Sequence, residues 1–174
     1  MGFEFDVLHM IQNLRSEALD AIMTFVSFIG NSGAIWIVIG LVMTAFRKYR
    51  KCGISILIAL IFCLIAGNGI LKNLIARERP CWIDESVKLL ISVPTDFSFP
   101  SGHTFSSFAG ASCILYFHKK EGVFALILAI LIAFSRLYLF VHFPTDILGG
   151  IALGLIASAF GIYLTKKIYK KNER

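Results

Sequence analysis

Three short polar islands interrupt an otherwise apolar chain. They are Lys72-Asn-Leu-Ile-Ala-Arg-Glu-Arg79-Pro80, Pro100-Ser101-Gly102-His103 and Ser135-Arg136-Leu-Tyr-Leu-Phe-Val-His142-Phe-Pro-Thr-Asp146. The members with chemical potential are the cations Lys72, Arg79 and Arg136, the histidines His103 and His142, and the carboxylate Asp146. Such a set suits gripping a phosphate and transferring it to a histidine.

In the first island Lys72 and Arg79 are seven residues apart, two helical turns, so a continuing helix puts them on nearly one face. Arg77 falls off that face, and Arg79, which precedes Pro80, marks the helix end. An ammonium point charge and a guanidinium fork clamp one phosphate from two directions. Ordinary membrane-flanking cations are the alternative. In the second island a helix beginning at Ser101 offers unpaired N–H groups and a favourable dipole to an anion. Ser101 suits the N-cap, Gly102 permits close backbone approach, and His103 falls in the first turn. A capped helix with an interfacial histidine fits the same residues. In the third island Pro144 suits a helix start, which makes Asp146 an early-turn carboxylate able to reach back to His142. A carboxylate on one imidazole nitrogen fixes the tautomer and leaves the other nitrogen as a nucleophile. A helix-dipole partner is the other reading of Asp146.

These islands need elements to hold them. The 174 residues are 57% hydrophobic and only 16% charged, with a mean hydropathy of +0.76. That composition implies one integral membrane domain, residues 1–174. The expected fold is all-α: a polytopic membrane helix bundle of five to six transmembrane helices with an N-terminal amphipathic interfacial segment. Phe3, Val7, Met10, Ile11 and Leu14 recur at helical spacing and predict that surface helix. Leu19–Phe46 is apolar but interrupted by Gly30-Asn31-Ser32-Gly33. It reads as an interfacial or broken helix followed by a span over Ala34–Phe46, or as one long tilted helix with the break inside it. Further spans are expected over Gly53–Ala76, Ser101–Phe117, Gly122–Val141 and Pro144–Leu164, with a loop at Arg77–Phe99 and a basic tail at Lys166–Arg174. The start, Met1–Asp20, is too polar for a cleavable signal.

Orientation follows the basic residues. Arg47, Lys48, Arg50, Lys51, Lys119, Lys120, Lys166, Lys167, Lys170, Lys171 and Arg174 share one side, expected to be cytoplasmic. The islands then converge on the extracytoplasmic face of a prokaryotic plasma membrane. The net charge of +6 is explained by this topology, so no nucleic-acid partner is expected. Cys52, Cys63, Cys81 and Cys113 have no metal-like spacing and read as small buried hydrophobes. Small residues such as Gly149, Gly150 and Gly154 suit close helix packing.

The islands resemble the three-part signature of the type 2 phosphatidic acid phosphatase (PAP2) family, K-x6-R-P, P-S-G-H and S-R-x5-H-x3-D, with every position filled between Lys72 and Asp146. The resemblance implies that Lys72, Arg79, Ser101, Gly102 and Arg136 bind phosphate. It implies that His142 is the nucleophile, His103 the general acid and Asp146 the partner of His142. It also implies a phosphohistidine intermediate and no metal or other cofactor.

A site at the membrane face, fed from the bilayer, points to a lipid phosphate. Undecaprenyl diphosphate is the expected substrate. Phosphatidylglycerol phosphate and phosphatidic acid are the alternatives, and a lipid phosphotransferase or a non-catalytic lipid-binding protein represents another class. The oligomeric state is left open. His9 and His118 read as interfacial polar residues. Asp84, Glu85 and Asp96 fit helix capping or substrate contact equally, and Phe97 and Phe99 fit either an acyl or prenyl chain or core packing.

Overall fold

The computed structural model describes residues 2–172, which contain helices and connecting turns and no strand. Helix α1 spans Gly2–Gln12 and α2 spans Glu17–Ile29. Ser16 caps α2 by accepting from the Leu19 N–H at 3.4 Å. A 3₁₀ turn, Asn31–Gly33, leads into α3, Ala34–Ala45. Ser32 (φ 53°) and Gly33 (φ 67°) are left-handed, which accounts for a 42° bend between the two helices. The interruption expected at Gly30–Gly33 is therefore a bend in the helical path.

Helix α4, Arg50–Phe62, runs on through a π-helical segment, Cys63–Leu71, into α5, Lys72–Ile75. A short α6 covers Pro80–Ile83, with Pro80 at its first turn. A long loop then leads to α7 (Gly102–Phe117), α8 (Lys119–Tyr138) and α9 (Pro144–Asn172). The basic tail continues α9 and is no separate segment, and Arg174 lies outside the described residues.

Three helical stretches are long and apolar enough to cross a membrane: Arg50–Ile83, Lys119–Tyr138 and Pro144–Lys171. The bent pair Glu17–Ile29 and Asn31–Ala45 makes a fourth if it is one span. Helix α7 has 16 residues, about 24 Å at the usual helical rise. It is the centre of the bundle, with α4, α8 and α9 packed on it and Thr104 through Ala111 all buried.

Lipid tails are as apolar as leucine, so close packing and interhelical hydrogen bonds must hold such a bundle. Glycines make the α7–α9 contact close, as their spacing predicts. A Cβ on Gly154 would lie 2.8 Å from Phe108 Cβ, and one on Gly150 would lie 3.0 Å from the Ser101 carbonyl. A Cβ on Gly149 would strike the Phe99 ring at 2.4 Å, so Phe99 is a packing residue. Trp36 Nε1 donates to Ser107 Oγ at 3.0 Å and joins α3 to α7. Ser55 Oγ donates to Thr165 Oγ1 at 2.9 Å and joins α4 to α9. All four cysteines are buried.

The surface helix also has a protein-facing side. Leu8 is fully buried, Phe5 and Ile11 pack against the same buried cluster, and Phe5 meets Phe140 and Phe143. Phe3, Met10 and Leu14 stay exposed. The inner face of α1 is therefore Phe5, Leu8 and Ile11, because the loop after α8 supplies an aromatic platform that periodicity could not reveal.

Candidate active site

The π-helical segment delivers Lys72, buried, to one end of the bundle. Wide π turns occur often at functional positions. The helix does not continue to Arg79. It ends at Ile75, with Ala76 in the left-handed region at φ 47°, and the chain is extended at Arg79 (φ −87°, ψ 152°). The physical reason is Pro80, which disfavours helical geometry at the residue before it. Lys72 and Arg79 still meet, through Asp96. One Asp96 oxygen pairs with Lys72, and the other accepts from Arg79 Nη2 at 2.8 Å.

Arg79 is held from several sides. Its Nε donates to the Asp96 carbonyl at 2.6 Å and its Nη1 to the Val141 carbonyl at 2.7 Å. Partial burial pushes the Asp96 carboxyl up, but the Lys72 hydrogen bond and charge, with Arg79, outweigh it and hold it at about 2.

His142 lies in the turn between α8 and α9, where Phe140 takes φ 58°. Its Nε2 is 3.1 Å from Arg79 Nη1. A guanidinium only donates, so Nε2 accepts and carries the lone pair. The ring proton is then on Nδ1, 3.5 Å from Asp146 Oδ2. Burial first, then the charges of Arg79, Arg136 and Lys72, keep the His142 pKa well below its ordinary value, so the ring is neutral at pH 7. The same Asp146 oxygen accepts from Ser98 Oγ at 2.5 Å and from the Phe143 N–H at 2.8 Å.

His103 starts α7, and its Nε2 sits 2.9 Å from Asn31 Oδ1. Arg136 is buried near the end of α8 and donates through Nη1 to Ser27 Oγ of α2, while its Nε has no hydrogen-bond partner. Lys72, Arg79, Gly102, His103, Arg136 and His142 all line one cavity of about 970 Å³. Asp146 stands behind His142, fully buried. Asp96 lies in the cavity with the cations.

Residues 48–170 match the PAP2 superfamily. The chain belongs to that family. It is 31% identical over 155 residues to the undecaprenyl-diphosphatase of Sulfolobus acidocaldarius, covering 88% of this chain and 74% of that protein. It is 33% identical over 157 residues to phosphatidylglycerophosphatase B of Bacillus subtilis, covering 82% of this chain and 73% of that protein. The crystal structure of a transmembrane PAP2 type phosphatidylglycerolphosphate phosphatase from Bacillus subtilis superposes with a TM-score of 0.74 at 29% identity, covering 98% of this chain and 86% of that one. As a PAP2 enzyme the protein is an integral membrane hydrolase of phosphate esters or diphosphates.

Within this PAP2 site most sequence-predicted residues converge, and one behaves differently. Ser101 occupies the N-cap position of α7 but makes no capping bond. It is fully buried, and its hydroxyl accepts from Thr104 Oγ1 at 3.1 Å. Among the described residues no three His, Cys, Asp or Glu side chains gather as a metal cluster. Sequence reasoning missed Asn31, Ser98 and Arg77, and left Asp96 undecided. Arg77 looked misplaced only because a continuous helix was assumed. The break at Ala76 turns it onto Asp146, whose Oδ1 accepts from Arg77 Nη1 at 2.6 Å.

Proposed function

We propose that this PAP2 protein is a metal-independent lipid phosphatase of the cell envelope that converts undecaprenyl diphosphate to undecaprenyl phosphate. The carrying observation is the lone pair of His142 Nε2, aimed among the cavity cations with Asp146 behind the opposite nitrogen. Lys72, Arg79 and Arg136, with the Gly102 N–H, hold the terminal phosphate after it displaces Asp96. Ser101 braces the start of α7. His142 attacks phosphorus, and the cations neutralise charge on the equatorial oxygens. His103, carrying both ring protons beside the bound phosphate, protonates the leaving oxygen. Water then cleaves the phosphohistidine with His103 as base.

The cavity supports a lipid substrate. Besides the cations it is lined by Phe28, Ile37, Leu57, Leu60, Ile61 and Leu64. Phe28, Ile37, Ile61 and Leu64 are also exposed on the outer surface, so this wall opens sideways toward where lipid tails would lie. The bent α2–α3 pair, Arg50–Ile83, α7, α8 and α9 make five crossings, α1 rests in the interface, and the site faces the extracytoplasmic side. The sorting of the basic residues supports that orientation.

Likeness to the Bacillus subtilis phosphatidylglycerophosphatase supports phosphatidylglycerol phosphate as a second substrate reading. Phosphate release in EDTA by purified protein, from undecaprenyl diphosphate, phosphatidylglycerol phosphate and phosphatidic acid, tests both. Fastest release from the diphosphate supports the first reading, and fastest release from phosphatidylglycerol phosphate the second. No release from any lipid overturns both.

A further inference from the structure

We propose that Glu4 and Arg77 form a positioning pair that sets the charge and aim of Asp146 behind His142, so that the surface helix α1 completes the site. The inference rests on the phosphatase reading, which gives Asp146 its task.

Asp146 Oδ2 is committed to Ser98, the Phe143 N–H and the His142 ring. Its other oxygen, Oδ1, is taken by Arg77 at 2.6 Å. That guanidinium is itself anchored. Its Nη2 donates to Glu4 Oε2 at 2.6 Å, its Nη1 also reaches Thr145 Oγ1 at 2.6 Å, and its Cζ lies 4.2 Å from the Phe143 ring centroid. Glu4 Oε1 in turn accepts from Thr145 Oγ1 at 2.7 Å and from the Thr145 N–H at 3.2 Å, on the first turn of α9. The buried Leu8 and the edge-on Phe5–Phe143 contact at 5.3 Å hold α1 in place.

The charges explain why Glu4 is needed. A lone cation on Asp146 would draw the carboxylate's field away from His142. Glu4 balances that cation, so the cluster of Asp146, Arg77 and Glu4 presents one net negative charge to the imidazole. The Arg77 and Glu4 side chains are only 23% and 17% exposed, so water screens the pair weakly. A phosphorylated His142 is cationic, and the field that stabilises it depends on this balance. Neither residue touches the cavity, so substrate binding is spared.

The test measures kcat and KM for lipid phosphate release by the full chain and by Glu4→Gln, Arg77→Gln, the double variant and Asp6→Asn, an exposed acid on the same helix. We expect Glu4→Gln to lower kcat about tenfold and Arg77→Gln about a hundredfold, with KM within about twofold. Asp6→Asn should match wild type. A charge exchange, Glu4→Arg with Arg77→Glu, separates positioning from tethering. It rebuilds the link to α1 but puts an anion on Asp146, so activity should stay lost. If Glu4→Gln fails to fold, as judged by thermal melting, Arg77→Lys gives the same readout. It keeps the charge but cannot bridge both acids, and its kcat should fall with KM kept. Wild-type kcat in Glu4→Gln or in Arg77→Lys, or restored activity in the charge exchange, would overturn the pair alone. A wild type silent on every lipid would overturn the phosphatase reading and the pair with it.

Discussion

Asp96 Oδ1 accepts a 2.8 Å hydrogen bond from Arg79 Nη2 inside the cavity that the site cations line. The same carboxylate pairs with Lys72, so one acid occupies two of the three cations assigned to phosphate. A phosphate bound as proposed would compete with it. Asp96→Asn should therefore tighten inhibition by inorganic phosphate or vanadate by about three- to tenfold, while lowering the melting temperature because two buried cations lose their partner. Inhibition constants and a thermal melt check both halves. An unchanged inhibition constant would place the phosphate elsewhere.

The pH behaviour follows from two shifted groups. His142 is held neutral because burial and the surrounding cations disfavour its imidazolium form. The proposed nucleophile is then already unprotonated at neutral pH, and it stays so as pH falls through the ordinary histidine range. The acid limb of kcat/KM, which reports the free enzyme, should lie below the ordinary histidine range. Asp96 sits at about 2 against 3.8 for a free carboxyl. Its folded value is the lower one, so its ion pairs contribute fully above about pH 4 and are lost as pH falls toward 2. A kcat/KM profile with an acid limb at pH 6.5 or above would contradict the neutral His142.

Asn31 accepts from His103 Nε2 at 2.9 Å and comes from the bend between α2 and α3, far from any signature motif. It aims the ring proposed as the general acid. Asn31→Ala should cost about tenfold in kcat with little change in KM. Asn31→Asp places an anion on the same ring, which favours the imidazolium, so the basic limb of the kcat profile should move to higher pH. Steady-state kinetics across pH read both effects.

Helix α7 carries Gly102 and His103, and α9 carries Asp146, so their contact fixes the site. Gly154→Ala would drive a Cβ to 2.8 Å from Phe108 Cβ and 2.9 Å from the Phe105 carbonyl. Neither backbone can yield cheaply, and the expected cost is about 1–3 kcal/mol. A melting temperature equal to wild type would show that the helices separate more easily than this packing implies.

Much of the architecture was legible in the sequence because long apolar runs and polar breaks leave strong patterns. The bend at Gly30–Gly33, the helix start at Ser101 and the reach of Asp146 to His142 were readable from local chemistry alone. What escaped depended on contacts between distant segments. Asp96 lies 24 residues beyond Lys72 in a loop without periodicity, and spacing cannot tell a capping acid from one that meets two cations. The protein-facing side of α1 was not readable because Phe140 and Phe143, its partners, lie over 130 residues away. Arg77 was misplaced by helical arithmetic that a left-handed Ala76 invalidates.

The most direct measurement is to quench the reaction rapidly at alkaline pH, using lipid with a labelled terminal phosphate, and to locate the label by peptide mass spectrometry. The account expects acid-labile phosphate on His142, absent in His142→Ala and reduced in Asp146→Asn. Phosphate released by wild type with no label on His142, or with label on another residue, would contradict it.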